Sequence, residues 1–120
     1  PSTPNILGIY LLEKVTRAML EKGIDVIRKE TDTKFDILNH AISELPFLDF
    51  GVKEEKHRSR TVVVANTEIT PTDLNKHLAS SDLFIGAGYG GHKTDQIRIA
   101  NFPAISINTM EKLVTALKGL

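Results

Sequence analysis

Residues 86–101 read GAGYGGHKTDQIRIAN, and three of their side chains, His92, Lys93 and Arg98, are cationic or become so on protonation. A guanidinium fixed on a strand offers a carboxylate a rigid fork of donors and can grip it through two parallel hydrogen bonds. Just upstream, Gly86, Gly88, Gly90 and Gly91 fill four of six positions. Such a turn lets backbone amides approach an anion, with His92 and Lys93 adding donors beside them. Turn and strand together suit one small molecule with an anionic group at each end. The plainer alternatives are a structural ion pair for Arg98 and a simple hairpin connection for the turn. The glycine spacing fits neither a P-loop nor a dinucleotide fingerprint.

A second candidate is Ser2-Thr3 ahead of a helix, where unpaired N–H groups and the helix dipole favour phosphate. Simple helix capping competes with that role. The cluster His57-Arg58-Ser59-Arg60 follows Glu54, Glu55 and Lys56 and reads as a solvated approach to a strand. His40 and His77 fall on helices with no second ligand at metal spacing, so no metal site is expected. Local motifs assemble neither a Ser-His-Asp nor a Cys-His arrangement, and no carboxylate pair stands out.

The elements that must hold these groups follow from periodicity. Thr3 is expected to cap a helix that starts at Pro4 and runs to about Gly23. Leu7, Leu11, Val15, Ala18 and Met19 give it one buried face. A second amphipathic helix runs through Ile27, Thr31, Phe35, Leu38, Ile42 and Leu45 to Pro46. A short extended piece over residues 47–52 precedes the charged segment and the β-branched strand TVVVAN at 61–66. Thr70-Pro71 opens a short helix to about Ser80, and LFIG at 83–86 is extended again. In QIRIANF, Ile97, Ile99 and Asn101 share one face while Gln96, Arg98 and Ala100 share the other. Ser106 or Asn108 caps a last helix through Met110, Leu113, Val114 and Leu117. The resulting order predicts an α/β fold of the α+β type, with helices on a small, largely antiparallel sheet. No βαβ series supports a complete Rossmann-type domain.

The 120 residues suit one domain, and 15 basic residues balance 15 acidic ones, which disfavours a nucleic-acid surface or a polybasic membrane anchor. Cysteine is absent, which removes disulfides and thiolate metal sites, and no apolar run approaches membrane-span length. A cytoplasmic setting is expected, and a chain opening on Pro1 reads as a piece of a longer protein.

Three stretches, STPNILGIYLL at 2–12, RSRTVVVAN at 58–66 and GYGGHKTDQIRIANFPA at 88–104, together resemble the C-terminal part of the phosphoserine aminotransferases. These belong to the class V aminotransferases of the fold-type I pyridoxal-phosphate group. The resemblance implies that residues 1–120 form the small C-terminal domain with its leading interdomain helix. The Schiff-base lysine would then lie in a large domain outside this chain, so the fragment alone would be inactive. It implies that Arg98 binds the substrate α-carboxylate and that His92 and Lys93 contact the substrate phosphate. Many members have His-Arg at the latter pair, and a lysine binds phosphate as a point charge without arginine's planar fork. Ser2-Thr3-Pro4 lies where many members have Asn-Thr-Pro, which assigns Ser2 and Thr3 to the phosphate of pyridoxal 5'-phosphate in a neighbouring subunit. The resemblance also implies a homodimer that transfers the amino group of glutamate to 3-phosphohydroxypyruvate in serine biosynthesis, giving 3-phosphoserine and 2-oxoglutarate. Two alternatives stay open: a class V aminotransferase acting on an unphosphorylated substrate, and a non-enzymatic anion-binding or assembly module.

Overall fold

A computed structural model describes residues 3–120. Helix α1 spans Ile6–Lys22 and α2 spans Ile24–Glu44, separated at Gly23 as the periodicity predicts. The cap of α1 corrects the expectation for Thr3. Asn5 stands at the N-cap, and its Oδ1 accepts the Gly8 N–H at 2.9 Å. Asparagine is among the strongest capping side chains, and it displaces the start of the helix past Pro4.

A second correction concerns the buried face of α1. None of its residues is buried, and Leu7, Leu12, Val15 and Leu20 are all more than half exposed, Leu20 at 74%. Amphipathic periodicity requires a counter-surface. Within this chain α1 meets chiefly α2, whose own apolar residues Phe35, Leu38 and Ile42 belong to the core around the sheet.

That sheet has four strands: β1 (Leu48–Phe50), β2 (Val62–Thr67), β3 (Gly86–Ala87) and β4 (Gln96–Ala100). Their spatial order is β1-β2-β4-β3, and every neighbouring pair is antiparallel. Helix α3 (Pro71–Leu78) links β2 to β3, so β4 is laid between two strands that precede it in the chain. Thr70 caps α3 by accepting the Asp73 N–H, as the sequence predicts, and of the two caps offered for α4 (Ile107–Lys118) Ser106 is the one used. The fold is thus four helices on a small antiparallel sheet. The extended piece after Pro46 contributes β1 as its edge strand.

The strand expected over 83–86 begins later, at Gly86. Asn75 of α3 supplies the reason: its Nδ2 donates to the Ile85 carbonyl and its Oδ1 accepts the Ile85 N–H, both at 2.9 Å. One side chain does for Ile85 what a neighbouring strand would otherwise do.

Alternation along β2 and β4 sends Val63, Ala65, Ile97 and Ile99 into a core shared with α2, Leu74 and Leu78 of α3, and Met110, Leu113 and Leu117 of α4. The opposite face of β4 carries Gln96, Arg98 and Ala100, all half-buried. The segment leaving β4 is strapped to α2. Asn101 donates from Nδ2 to the carbonyls of Thr31 and Arg60 at 2.9 and 2.8 Å. Lys34, only 1% exposed, donates from Nζ to the carbonyls of Phe102 and Ile105 at 2.8 and 2.7 Å. Desolvation holds the Lys34 ammonium below the ordinary lysine range, partly offset by Glu30. Among the described residues no helix is long and apolar enough to cross a membrane.

Candidate anion-binding site

The pairing of β3 with β4 builds the site. Gly86 lies opposite Arg98 and Ala87 opposite Ile97, so residues 88–95 form the connection of a hairpin. Two glycines are required by its path. The Gly88 N–H donates to the Gln96 carbonyl at 2.8 Å, and a β-carbon on Gly88 would stand 2.2 Å from the His92 carbonyl oxygen. Gly90 adopts φ +57°, the left-handed region that side chains disfavour. A short 3-10 turn, Gly90–His92, follows and is joined by the His92 N–H donating to the Tyr89 carbonyl at 3.0 Å.

Arg98 stands on β4 opposite Val64 of β2, and its side chain runs back along β3. Its Nε donates to the Ala87 carbonyl at 2.7 Å. Its Cζ lies 3.7 Å from the centre of the Tyr89 ring, and Nη2 passes 3.4 Å from where a β-carbon on Gly86 would begin. Among the described residues no carboxylate pairs with it, so no structural ion pair within this chain holds it. The other arginines near the sheet differ. Arg60 pairs with Asp32 at 2.9 Å, and Arg58 is taken up by the Val52 and Lys53 carbonyls at 2.9 and 3.0 Å, over the Phe50 ring. The guanidinium is half-buried with one edge anchored and its terminal nitrogens uncommitted among the described residues, a geometry that could take a carboxylate.

His92 and Lys93 project from the exposed part of the same hairpin. The His92 Nδ1 lies 3.3 Å from an Asp95 oxygen, a surface contact that leaves Nε2 free of it. Lys93 forms no ion pair among the described residues. The structure therefore brings Arg98, His92 and Lys93 onto one hairpin, with Arg98 on its strand and the other two at its turn.

Thr3 is not brought to that hairpin. It is exposed and precedes α1, whose far end at Lys22 reaches Glu30 of α2, a salt bridge of 2.6 Å. A 17-residue helix is about 25 Å long, so Thr3 stands far out from that junction. Ser2 lies outside the described residues. His40 pairs with Glu44 on the surface, while His77 reaches from α3 to the Ala116 carbonyl of α4 at 2.8 Å, a structural role for its ring. Tyr89 is not among the candidates that the sequence singles out. Its signal is an aromatic residue in a turn, 73% exposed, nine residues ahead of the arginine on which it stacks.

The family model for aminotransferase class-V matches residues 2–109. Among solved structures, the chain is similar to a phosphoserine aminotransferase SerC from Cytophaga hutchinsonii, with 48% identity and a TM-score of 0.96 over 99% of this chain. A phosphoserine aminotransferase from Bacillus circulans subsp. alkalophilus, 20% identical over 98% of the chain, has a TM-score of 0.78. An alanine–glyoxylate aminotransferase from Nostoc sp., 17% identical over 98% of the chain, has a TM-score of 0.75. These last two share the fold. The chain covers 33%, 33% and 32% of the three, respectively, about a third of each. No curated protein matches the sequence significantly.

Proposed function

The chain belongs to the class V aminotransferases, and on that premise we propose that it is the substrate-recognition domain of a pyridoxal-phosphate-dependent transaminase that converts 3-phosphohydroxypyruvate and glutamate to 3-phosphoserine and 2-oxoglutarate. The observation that carries this reading is Arg98: a strand-anchored guanidinium with no carboxylate partner among the described residues, on the same hairpin as His92 and Lys93. Both proposed substrates carry two anionic groups, with an α-carboxylate at one end. Arg98 takes that carboxylate through its terminal nitrogens. His92 and Lys93 take the other end, the phosphate of one substrate or the distal carboxylate of the other. The 48% identity to a phosphoserine aminotransferase supports the phosphorylated substrate over a plain one.

Pyridoxal 5'-phosphate, when bound, supplies the electron sink for amino transfer. The described residues fit only the fringe of its site. Lys34, the lysine enclosed by the fold, is committed to two backbone carbonyls and is not a covalent anchor. Thr3, exposed at the outer end of α1, and Ser2 are the residues this chain would extend to the cofactor phosphate. In this reading residues 1–120 are a small C-terminal domain with its leading helix. The apolar face of α1 packs on a large domain of the same protein, and two protomers complete each site in a cytoplasmic homodimer.

The test uses the full-length protein. Arg98→Ala should reduce turnover of every amino acid tried, whereas Lys93→Ala should harm phosphorylated substrates far more than unphosphorylated ones. Equal loss with unphosphorylated substrates would remove the phosphate assignment. A full-length protein that is not yellow, or whose colour borohydride does not bleach, would favour the non-enzymatic module.

A further inference from the structure

We infer that Tyr89 is a positioning residue that aims the Arg98 guanidinium and couples it to the turn bearing His92. The inference rests on the reading of Arg98 as the carboxylate-binding residue.

An arginine side chain has several free torsions, and a fork that grips a carboxylate must have its plane fixed before the ligand arrives. The Ala87 carbonyl fixes one edge by accepting from Nε, which leaves the plane free to swing about that bond. The Tyr89 ring removes the swing. Cζ stands 3.7 Å from the ring centre, well inside cation–π range, so one guanidinium face is covered and the terminal nitrogens stay open at the edge. The looser Lys14 over Tyr10 contact, 5.3 Å on the surface of α1, shows what an incidental stack looks like here.

The same residue touches the other half of the site through its backbone. Its carbonyl accepts the His92 N–H at 3.0 Å, the bond that joins it to the turn ending in His92. Gly88 before it is pinned to Gln96, and Gly90 after it turns at φ +57°, so Tyr89 is held on both sides by backbone that only glycine follows easily. A ring on Arg98 and a carbonyl on His92 make Tyr89 the link that sets the spacing between the two anion-binding ends. Its hydroxyl has no hydrogen-bond partner among the described residues, so the ring carries the role.

The experiment measures kcat and KM for glutamate and for 3-phosphoserine in the full-length, cofactor-loaded protein. Four variants are compared with the parent: Tyr89→Ala, Tyr89→Phe, Arg98→Lys and the double variant Tyr89→Ala/Arg98→Lys. Loss of a cation–π contact predicts KM values about 3- to 30-fold higher in Tyr89→Ala, with kcat changed by less than about 3-fold. Tyr89→Phe should restore KM to within about 2-fold of the parent, because phenylalanine keeps the stacking face. In the Arg98→Lys background the alanine change should add less than about 2-fold, since a lysine ammonium has no planar fork for the ring to aim. Unchanged KM in Tyr89→Ala beside raised KM in Arg98→Lys overturns the inference and spares the carboxylate assignment. A full Tyr89→Ala effect on top of Arg98→Lys, or a Tyr89→Phe defect as large as that of alanine, also overturns it. If Arg98→Lys itself leaves both KM values unchanged, the carboxylate assignment fails and the inference falls with it.

Discussion

Replacing Gly88 by alanine probes the hairpin with a single methyl group. The new β-carbon would stand 2.2 Å from the His92 carbonyl oxygen and 2.9 Å from both the Gln96 β-carbon and the His92 carbonyl carbon. Non-bonded heavy atoms settle near 3.5 Å or beyond, so the His92 backbone must retreat by roughly 1 Å. Overpacking of this kind costs about 1–3 kcal/mol, and the obstacle here is backbone, which has no rotamer to change. The Gly88–Gln96 hydrogen bond, worth about 1 kcal/mol, is strained in the same movement. Displacing a substrate-binding group by about 1 Å lowers kcat/KM by up to about 100-fold. Gly91→Ala is the matched control, because a β-carbon there meets nothing within 4 Å and its φ is not positive. The assay is kcat/KM of the full-length protein with 3-phosphohydroxypyruvate. A loss of tenfold or more, of the order set by that displacement, is expected for Gly88→Ala, with Gly91→Ala within about 2-fold of the parent. If Gly88→Ala stays within about 3-fold, the turn does not place His92 and Lys93 on a substrate, and the two-ended reading of the hairpin is wrong.

Asn75→Ala removes both partners of the Ile85 backbone and should destabilise the fold by about 2–3 kcal/mol in urea unfolding, whereas a shift below about 0.5 kcal/mol would mean that water replaces the side chain. Lys34→Met leaves the Phe102 and Ile105 carbonyls without donors and should cost about 2–4 kcal/mol near neutral pH. Because the folded state depresses the Lys34 pKa, the unfolded chain binds more protons between the lowered value and the ordinary lysine value. The parent should therefore gain stability relative to Lys34→Met as pH rises through that window. The neutral amine keeps two N–H donors for its two carbonyls, and a difference between parent and variant that is flat with pH would contradict the burial of a charge. Leu12→Glu on α1 should destabilise the full-length protein by more than 1 kcal/mol if a large domain covers that helix, while an exposed site would tolerate it within about 0.5 kcal/mol.

The face on which Arg98 stands was legible because strand alternation is local: two isoleucines at spacing two settle which way the residue between them points. Capping by Thr70 and Ser106 was legible for the same reason. The misreadings share a different cause. The periodicity of α1 says that a face will be covered and not by what, and in this chain little beyond α2 lies against it. LFIG has strand composition, yet Asn75, ten residues earlier, satisfies Ile85 from a helix. Lys34 is singled out by nothing local, because the carbonyls that bury it come 68 and 71 residues later. Thr3 and Asn5 are both competent caps two residues apart, and local composition does not rank them.

The two ends of the candidate site are built to different stiffness. Strand β4 is paired on both sides, and its flanks are closed by the Thr67 N–H donating to the Asp95 carbonyl at 2.9 Å and the Asn101 N–H donating to the Thr61 carbonyl at 2.8 Å. Beyond it, Asn101 and Lys34 strap residues 101–105 to α2. Arg98 is thus mounted on one of the best-anchored segments of the molecule. His92 and Lys93 stand on an exposed turn held by the Tyr89–His92 bond and the His92–Asp95 contact. Segments with few buried contacts open at low free-energy cost, so in the proposed reading the second anion would meet a more adjustable surface than the carboxylate does. In the proposed reading, a site made this way would recognise the group common to all its substrates rigidly and leave choice among them to the turn. Changes at Lys93 should accordingly move preference between second anions, whereas changes at Arg98 should weaken all substrates alike.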